Sequence, residues 1–377
     1  SFIAYTNENV HSLLEKNLNN SPMYSGKING VGPRYCPSIE DKIVRFSDRS
    51  RHMLYLEPEW MDSDQIYING FSTSMPKKIQ LSALRSISGL ESANLIRPGY
   101  AIEYDYFPTR QLKSTLETKS ISNLFFAGQV NGTSGYEEAA AQGLLAGINS
   151  VLRIKESEPF IITRNEGYIG VLIDDLITSS INEPYRMFTS SAEYRLSLRS
   201  DNADFRLTEK GFKAGIVSKT QHDAFLKRKT SVKSIESAII NKTISEKNKS
   251  FSAQKYLCRP GVGIDDLFNF IPSIKDKPYS ALFTAETNIK YEGYVSRETI
   301  RANTMLQNEK VKIPKDTNFY QINGLSSEAK EKLNKVIPEN LGQASRIDGV
   351  RPSDIMSLSI AIKQKRFTWN KTKLKIT

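Results

Sequence analysis

Three stretches of this chain bring together residue types whose spacing allows chemistry. In Gly32-Pro33-Arg34-Tyr35-Cys36-Pro37-Ser38-Ile39-Glu40-Asp41-Lys42, a cysteine stands on a loop stiffened by prolines, with Arg34 and Lys42 close in sequence. Nearby cations raise the thiolate fraction, and a thiolate on a rigid loop can add to an electron-poor C=C bond, as at C6 of uracil. Cys36 also fits a small buried thiol that fills space, and spacing alone leans to that reading. In the second stretch, Gln129-Val130-Asn131-Gly132-Thr133-Ser134-Gly135 is a glycine-rich turn opening a helix that carries Glu137 and Glu138 in its first turn. Those carboxylates would compete with a phosphate, so the turn suits a ring system whose developing negative charge the helix amides stabilise. The third runs from Glu183 to Arg199 and interleaves Arg186, Arg195 and Arg199 with aromatics and hydroxyls, with Arg206 further along. Arginine grips phosphate and stacks on bases, and tyrosine offers a stacking face. An internal ion-pair network with Glu183, Glu193, Asp201 and Asp204 accounts for the same pattern. No Ser-His-Asp set, H-E-x-x-H or P-loop occurs; His11, His52, His222 and Cys258 read as packed or surface residues.

The elements that must position these stretches are set by periodicity. A strand over residues 1–6 leads into an amphipathic helix with Val10, Leu13, Leu14 and Leu18 on one face and Asn7 as its cap. Residues 51–60 and 64–71 read as short strands, and 76–89 as a helix. Ile121–Gly128 is an apolar run fit for a buried strand. The helix after the glycine turn sets Ala139, Gly143, Ala146 and Ser150 on one stripe, so that it can lie close to a sheet. Strand, turn and small-faced helix together describe a nucleotide-cofactor crossover, with a plain strand–turn–helix as the alternative. Beyond about residue 155 helical periods dominate, over 220–241 and 298–309. A polar, Lys-rich stretch over 241–250 reads as a flexible connection. Helices over 325–335 and 352–365 suggest a small terminal bundle, with Pro352 in the first turn of the second and Ser353 or Asp354 near its amides.

The chain has 377 residues, 39% of them hydrophobic, and a net charge of +11. That length holds two or three domains. Two cysteines form no disulfide framework, and three scattered histidines with two distant cysteines supply no zinc site. No apolar run reaches the length of a membrane span, and no secretory signal opens the sequence. The charge is segregated: residues 1–150 carry a net −1 and 151–377 a net +12. A positive region of this size attracts polyanions, although a solvated basic surface has the same composition.

The cysteine segment, Leu56-Glu57-Pro58-Glu59, Arg97-Pro98-Gly99-Tyr100-Ala101-Ile102-Glu103-Tyr104-Asp105, Phe126–Gln129 with Gly135–Gly143, Pro184–Ser190 and Leu341-Gly342-Gln343-Ala344-Ser345-Arg346-Ile347 together resemble one family, along essentially the whole chain. It is the tRNA uridine 5-carboxymethylaminomethyl modification family, also called glucose-inhibited division protein A or MnmG. The resemblance implies an α/β fold, part of a two-dinucleotide-binding flavoprotein, continued by a mostly α-helical C-terminal region. It implies an FAD enzyme that uses NADH and methylene-tetrahydrofolate as carbon donor. With the GTPase partner MnmE, such an enzyme installs an aminomethyl-type group on C5 of the tRNA wobble uridine. A cytoplasmic (in eukaryotes mitochondrial) homodimer, forming a heterotetramer with the GTPase and involving no membrane, goes with it. It places Gln129 against FAD and associates Gly32, Pro33, Arg34, Tyr35, Cys36, Pro37, Ser38, Ile39, Glu40, Asp41, Lys42, Ile43, Val44, Arg45 and Phe46 with NAD.

Cys36 is then the catalytic candidate, as nucleophile toward uracil C6 or as an aid to proton transfer; Arg186, Arg195, Arg199 and Arg206 are the tRNA-binding candidates. The expected domains are residues 1–95 (NAD-associated), 96–155 (remainder of the FAD domain), 156–285 (helical, tRNA-binding) and 286–377 (helical bundle). Two rival functions stay open: a non-catalytic tRNA- or partner-binding module, and a flavin-dependent folate tRNA uridine methyltransferase. The family's N-terminal glycine-rich FAD fingerprint and second cysteine do not occur here, and the chain opens without Met. The expectation is a C-terminal part of a longer protein that alone binds FAD weakly or not at all. Ser191 stands where the family has Arg, a missing phosphate contact that Arg195 can supply.

Overall fold

The computed structural model describes residues 1–26, 37–178, 184–246 and 249–364. The chain divides into two units, Ser1–Phe107 with Asn182–Pro184, and Pro108–Ile181 with Tyr185–Thr377.

The first unit is an antiparallel three-stranded sheet backed by helices. Strand β1 (Phe2–Tyr5) precedes α1 (Glu8–Glu15) and α2 (Ile39–Arg45); β2 (Met53–Pro58), β3 (Ile66–Asn69) and α3 (Lys77–Arg85) come after them. The sheet order is β1-β2-β3, with Phe2 opposite Leu56 and Tyr55 opposite Asn69. The cap at Asn7 forms: its side chain accepts from the Val10 amide at 3.0 Å. Val10 and Leu14 of α1, Ile39 and Ile43 of α2, Leu54 of β2 and Ala83 and Leu84 of α3 close a common core. Each large aliphatic side chain among them contributes about 1.5–3 kcal/mol by leaving water. His11 and His52 pack ring to ring at 5.2 Å, and burial holds both imidazoles below their ordinary pKa.

The second unit opens differently from the crossover expected on sequence. Over 121–128 there is no strand; Phe125 alone makes an antiparallel bridge, to Glu117. Asn123 takes a positive φ of 67°, which breaks an extended run, and Thr118 Oγ1 both accepts from the Ile121 amide and donates to its carbonyl. Helix α4 (Tyr136–Ile154) forms as expected, and of the expected stripe Ala146 is buried, Ala139 and Ser150 are half-buried and Gly143 is exposed. Glu138, Gln142, Leu145, Ile148 and Asn149 also turn inward, so that polar anchors and aliphatic side chains widen the buried side beyond the small residues.

Helix α5 (Tyr168–Thr178) is almost wholly buried. Helices α6 (Ala203–Lys213) and α7 (Lys219–Ile240), strands β4 (Thr243–Glu246) and β5 (Lys249–Ser252), α8 (Ala253–Leu257) and the long α9 (Tyr279–Lys310) come next. Val232, Ile235 and Ile239 of α7 pack with Ala281, Leu282, Ala285 and Ile289 of α9. Within the expected flexible connection at 241–250, β4 and β5 instead pair antiparallel. Ile244 lies opposite Phe251, and this apolar pair inserts into the α7–α9 core, with Ile244 buried. One apolar residue per strand anchors the paired strands although their composition is polar.

Helices α10 (Ser327–Val336), α11 (Leu341–Ser345) and α12 (Pro352–Lys363) form the terminal bundle around Phe319, Leu333, Leu341 and Leu358. Pro352 occupies the first turn of α12, and Asp354 joins two helix starts. Its carboxylate accepts from the Ser326 amide at 2.7 Å, the Ser326 hydroxyl at 3.2 Å and the Arg351 amide at 2.9 Å. Burial alone would raise its pKa, but these donors hold it below the usual carboxylate value. A depressed pKa adds stability above the unfolded value of about 3.9, lost as pH falls through the folded one. Asp354→Ala is therefore expected to cost about 1–2 kcal/mol at pH 7 in urea denaturation, as lost helix caps do. The gap between the two proteins should shrink at pH 3; a gap independent of pH would contradict the ionised cap.

Candidate functional site

The glycine turn is built by one buried glutamine. Gln142 Oε1 accepts from the Gly128 amide at 3.2 Å and from Asn131 Nδ2 at 2.8 Å. Gln142 Nε2 donates to Thr133 Oγ1 at 2.9 Å and to the Glu138 carbonyl at 3.0 Å, and Thr133 Oγ1 donates to the Gly128 carbonyl at 3.0 Å. Gly128 has a φ of 82°, a conformation that a side chain would strain. The result is a rigid loop on which Gln129 is exposed to solvent at the mouth of α4.

The loop is joined to the arginine-rich stretch by backbone and side chain. The Tyr185 amide donates to the Gly132 carbonyl at 2.9 Å, and Thr133 and Tyr185 form a parallel bridge. Glu138 Oε1 accepts from the Met187 amide at 2.9 Å and from Arg186 Nε at 3.1 Å. Burial would raise the Glu138 pKa, but the Met187 amide and the Arg186 guanidinium hold it lower.

From Tyr185 a polar relay runs into the core. Its hydroxyl donates to Asp175 Oδ2 at 2.7 Å, and Asp175 Oδ1 meets Arg164 Nη1 at 2.5 Å. The Arg164 side chain is 7% exposed, and it also pairs with Asp174 at 3.1 Å and Glu193 at 2.8 Å. Burial works against its charge, but the Glu193, Asp175 and Asp174 carboxylates more than offset it and keep the guanidinium protonated. Asp174 in turn takes Arg346 of the terminal bundle at 2.5 Å, and Arg346 reaches Glu309 at 3.2 Å. Burial raises the pKa of Asp175 and of Glu309 against these pairings. A cavity of about 470 Å³ lies beside this cluster, lined in part by Arg164, Asp174, Glu309 and Arg346.

The four arginines singled out in the sequence fare differently. Arg186 sits at the turn, held by Glu138. Arg199 pairs with Asp201 at 2.8 Å and donates to Asn288 of α9 at 2.7 Å. Arg206 donates to the carbonyls of Glu166 and Arg199 and to Asn202. Arg199 thus pairs with one of the carboxylates that the ion-pair alternative names, whereas Arg206 donates to backbone carbonyls and an amide and meets none of them. Arg195 is exposed.

In the first unit, Cys36 with Gly32, Pro33, Arg34 and Tyr35 lies outside the described residues. Beyond them the segment turns helical, and Ser38 and Asp41 cap α2 reciprocally. Glu40 is fully buried and accepts from Thr73 Oγ1 at 2.9 Å and the Ser74 amide at 3.0 Å. Lys42 Nζ donates to the Gly70 carbonyl at 2.7 Å. Asp41 accepts from Tyr24, whose phenol is pushed up to about 12 by burial and this hydrogen bond. Ile39 and Ile43 are core residues, and Arg45 is exposed.

Sequence reasoning passed over Arg164, Asp174, Asp175 and Gln142, and read Glu138 as a carboxylate facing the ligand rather than as the holder of Arg186. A signal for the cluster existed: two adjacent carboxylates inside the otherwise apolar Val171-Leu172-Ile173-Asp174-Asp175-Leu176-Ile177 require a cationic partner.

These features define an α/β region carrying a rigid glycine turn, continued by helical domains. Family models agree. "Glucose inhibited division protein A" matches residues 1–158, the "tRNA modifying enzyme MnmG/GidA C-terminal helical domain" 219–299, and the "C-terminal helical bundle" of the same enzymes 301–375. The tRNA uridine 5-carboxymethylaminomethyl modification enzyme MnmG of Desulfitobacterium hafniense is 47% identical over 97% of this chain and 60% of its own length. That of Chlorobium chlorochromatii is 49% identical over 95% and 61%. The crystal structure of Aquifex aeolicus GidA superposes with a TM-score of 0.82 at 44% identity, over 96% of this chain and 59% of that one. The chain belongs to the MnmG/GidA family of tRNA uridine modification enzymes, and spans about three-fifths of the length of these relatives.

Removing the Arg164 cation leaves Asp175 without its ion pair and Asp174 with Arg346 alone. Arg164→Met is expected to destabilise the second unit by about 3–5 kcal/mol in equilibrium denaturation. Tyr185→Phe, which deletes one hydrogen bond to a charged group, is expected to cost about 1.5–3 kcal/mol. A smaller loss for Arg164→Met than for Tyr185→Phe would contradict the hierarchy.

Proposed function

We propose that this chain supplies the ring-facing turn and the RNA-gripping surface of a flavin-dependent enzyme that modifies C5 of the tRNA wobble uridine. The observation that carries the reading is the attachment of the Arg186 segment to the Gln129 turn through Gly132–Tyr185 and Glu138–Met187. A phosphate-gripping side chain and an exposed cofactor-side amide thereby share one rigid frame.

The residues present fit a flavin ring better than its pyrophosphate. Gln129 offers an exposed amide at the turn, while the exposed Glu137 in the first turn of α4 disfavours a pyrophosphate on the helix amides; the Glu138 carboxylate is buried and taken up by Arg186 and the Met187 amide. Bound FAD would supply the redox capacity of the reaction, with NADH as reductant and methylene-tetrahydrofolate as carbon donor. Gln129 orients the ring edge, and the amides at the start of α4 stabilise negative charge there. Arg186 and Arg195 take backbone phosphates of the anticodon stem, which sets position without reading sequence. Arg199 and Arg206 hold the loop that presents Arg195. The target base leaves its stack to reach the turn. Cys36, on the segment associated with NAD, adds its thiolate to uracil C6 or moves a proton there. The GTPase partner of the family resemblance meets the terminal bundle, where Met356 and Ile360 of α12 stand exposed one turn apart.

The test is tRNA nucleoside mass analysis with the full-length gene product in cells lacking their own activity. The wild-type protein is expected to restore the wobble modification. Cys36→Ser should abolish it while leaving tRNA affinity within about twofold, since one thiol contributes little to phosphate-dominated binding. Modification by Cys36→Ser at the wild-type rate would remove the cysteine from the chemistry.

A further inference from the structure

We propose that Glu138 is a positioning residue, which fixes Arg186 against the start of α4 and through it sets the grip on the RNA backbone. The proposal rests on the reading of Arg186 as a phosphate contact.

Glu138 is only 3% exposed, and an ionised carboxylate so placed is costly unless its partners are fixed. Both of its contacts with the arginine stretch fall on Oε1: the Met187 amide at 2.9 Å and Arg186 Nε at 3.1 Å. One oxygen therefore sets the backbone of residue 187 and the guanidinium plane of residue 186 together. The other oxygen, Oε2, is buried and has no hydrogen-bond partner among the described residues. It lies against Gly135, where a Cβ would collide with it. The glycine is thus needed to admit the carboxylate, and the turn and the carboxylate are matched parts. Helix N-terminal charge alone would be served by Glu137, which is exposed and makes only a distant 3.8 Å approach to Arg186. A guanidinium held at Nε keeps a defined plane, which bidentate phosphate recognition requires. The Arg186 side chain remains 32% exposed while so held.

A double-mutant cycle on the full-length gene product tests the assignment, with tRNA affinity read at fixed salt and flavin absorbance and thermal midpoint read alongside. Glu138→Gln and Arg186→Met are each expected to weaken tRNA binding about tenfold, as loss of a charge-assisted hydrogen bond does, with flavin content unchanged. The double variant should bind no more than about twofold worse than Arg186→Met alone, because coupled residues are not additive. Should Glu138→Gln fail to fold, Glu138→Asp is measured in its place. It keeps the charge, withdraws it from Arg186, and is expected to show the same loss. Multiplying effects in the double variant, or unchanged tRNA affinity on altering Glu138 while Arg186→Met weakens it, would overturn the positioning role. Wild-type affinity for Arg186→Met would overturn it too, and would locate the error in Arg186 itself. A wild-type protein that ignores tRNA altogether would instead sink the proposed function.

Discussion

Two carboxylates inside an apolar helix are the constraint on which the second unit depends. Asp174 and Asp175 sit on α5 among Val171, Leu172, Ile173, Leu176 and Ile177, where unpaired charge is prohibitively costly. Arg164 answers that cost by meeting both of them and Glu193 at once. A guanidinium has five donors in a fixed plane, so satisfying them fixes every element that supplies an acceptor. Here those are α5 and the segment carrying Ser191 and Glu193. Hydrophobic replacement could match such a cluster in stability, but not in the number of directions it specifies.

The cluster is also a junction. Toward one side Tyr185 carries it to Gly132 and so to the turn presenting Gln129; toward the other Asp174 carries it to Arg346 and the terminal bundle. Ser114 and Lys119 add further ties, to Glu339 and to the Val336 carbonyl. Positions distant in sequence are thereby held by hydrogen bonds rather than by apolar burial alone. An apolar interface tolerates sliding, whereas a charge pair has one register. A site that must present a cofactor-side amide and a phosphate-gripping arginine at fixed separation gains from the second kind.

How much of this the sequence disclosed depended on whether the signal was local. Helix α1 with its Asn7 cap and the strands β2 and β3 were legible, because periodicity and capping act within a few residues. The terminal bundle, with Pro352 opening α12, was legible for the same reason. The family resemblance, carried by motifs at named positions, was confirmed along the chain. The run over 121–128 misled, since apolar composition does not reveal that Asn123 turns to positive φ. The 241–250 stretch misled in the opposite sense, because two apolar residues paired across β4 and β5 outweigh its lysines. The buried stripe of α4 was legible only in part, at Ala146: small residues permit close approach, but Glu138, Gln142 and Asn149 require burial with partners, and that requirement is not visible in residue size. The Arg199–Asp201 pair was within local reach of the sequence, whereas the Asn288 amide and the Glu166 carbonyl that take further donors of Arg199 and Arg206 lie far away in sequence, and no local pattern holds that information.

If the glycine turn and the arginine stretch form one rigid frame, the hydrogen bonds that join them open only rarely. Amide hydrogen exchange on the chain measures this directly, at the Tyr185 and Met187 amides that Gly132 and Glu138 accept. Both are expected to exchange as slowly as the buried middle of α4, near Leu145 and Asn149. Rapid exchange at residues 185 and 187 while α4 stays protected would show that the two parts move independently, and the account would fail.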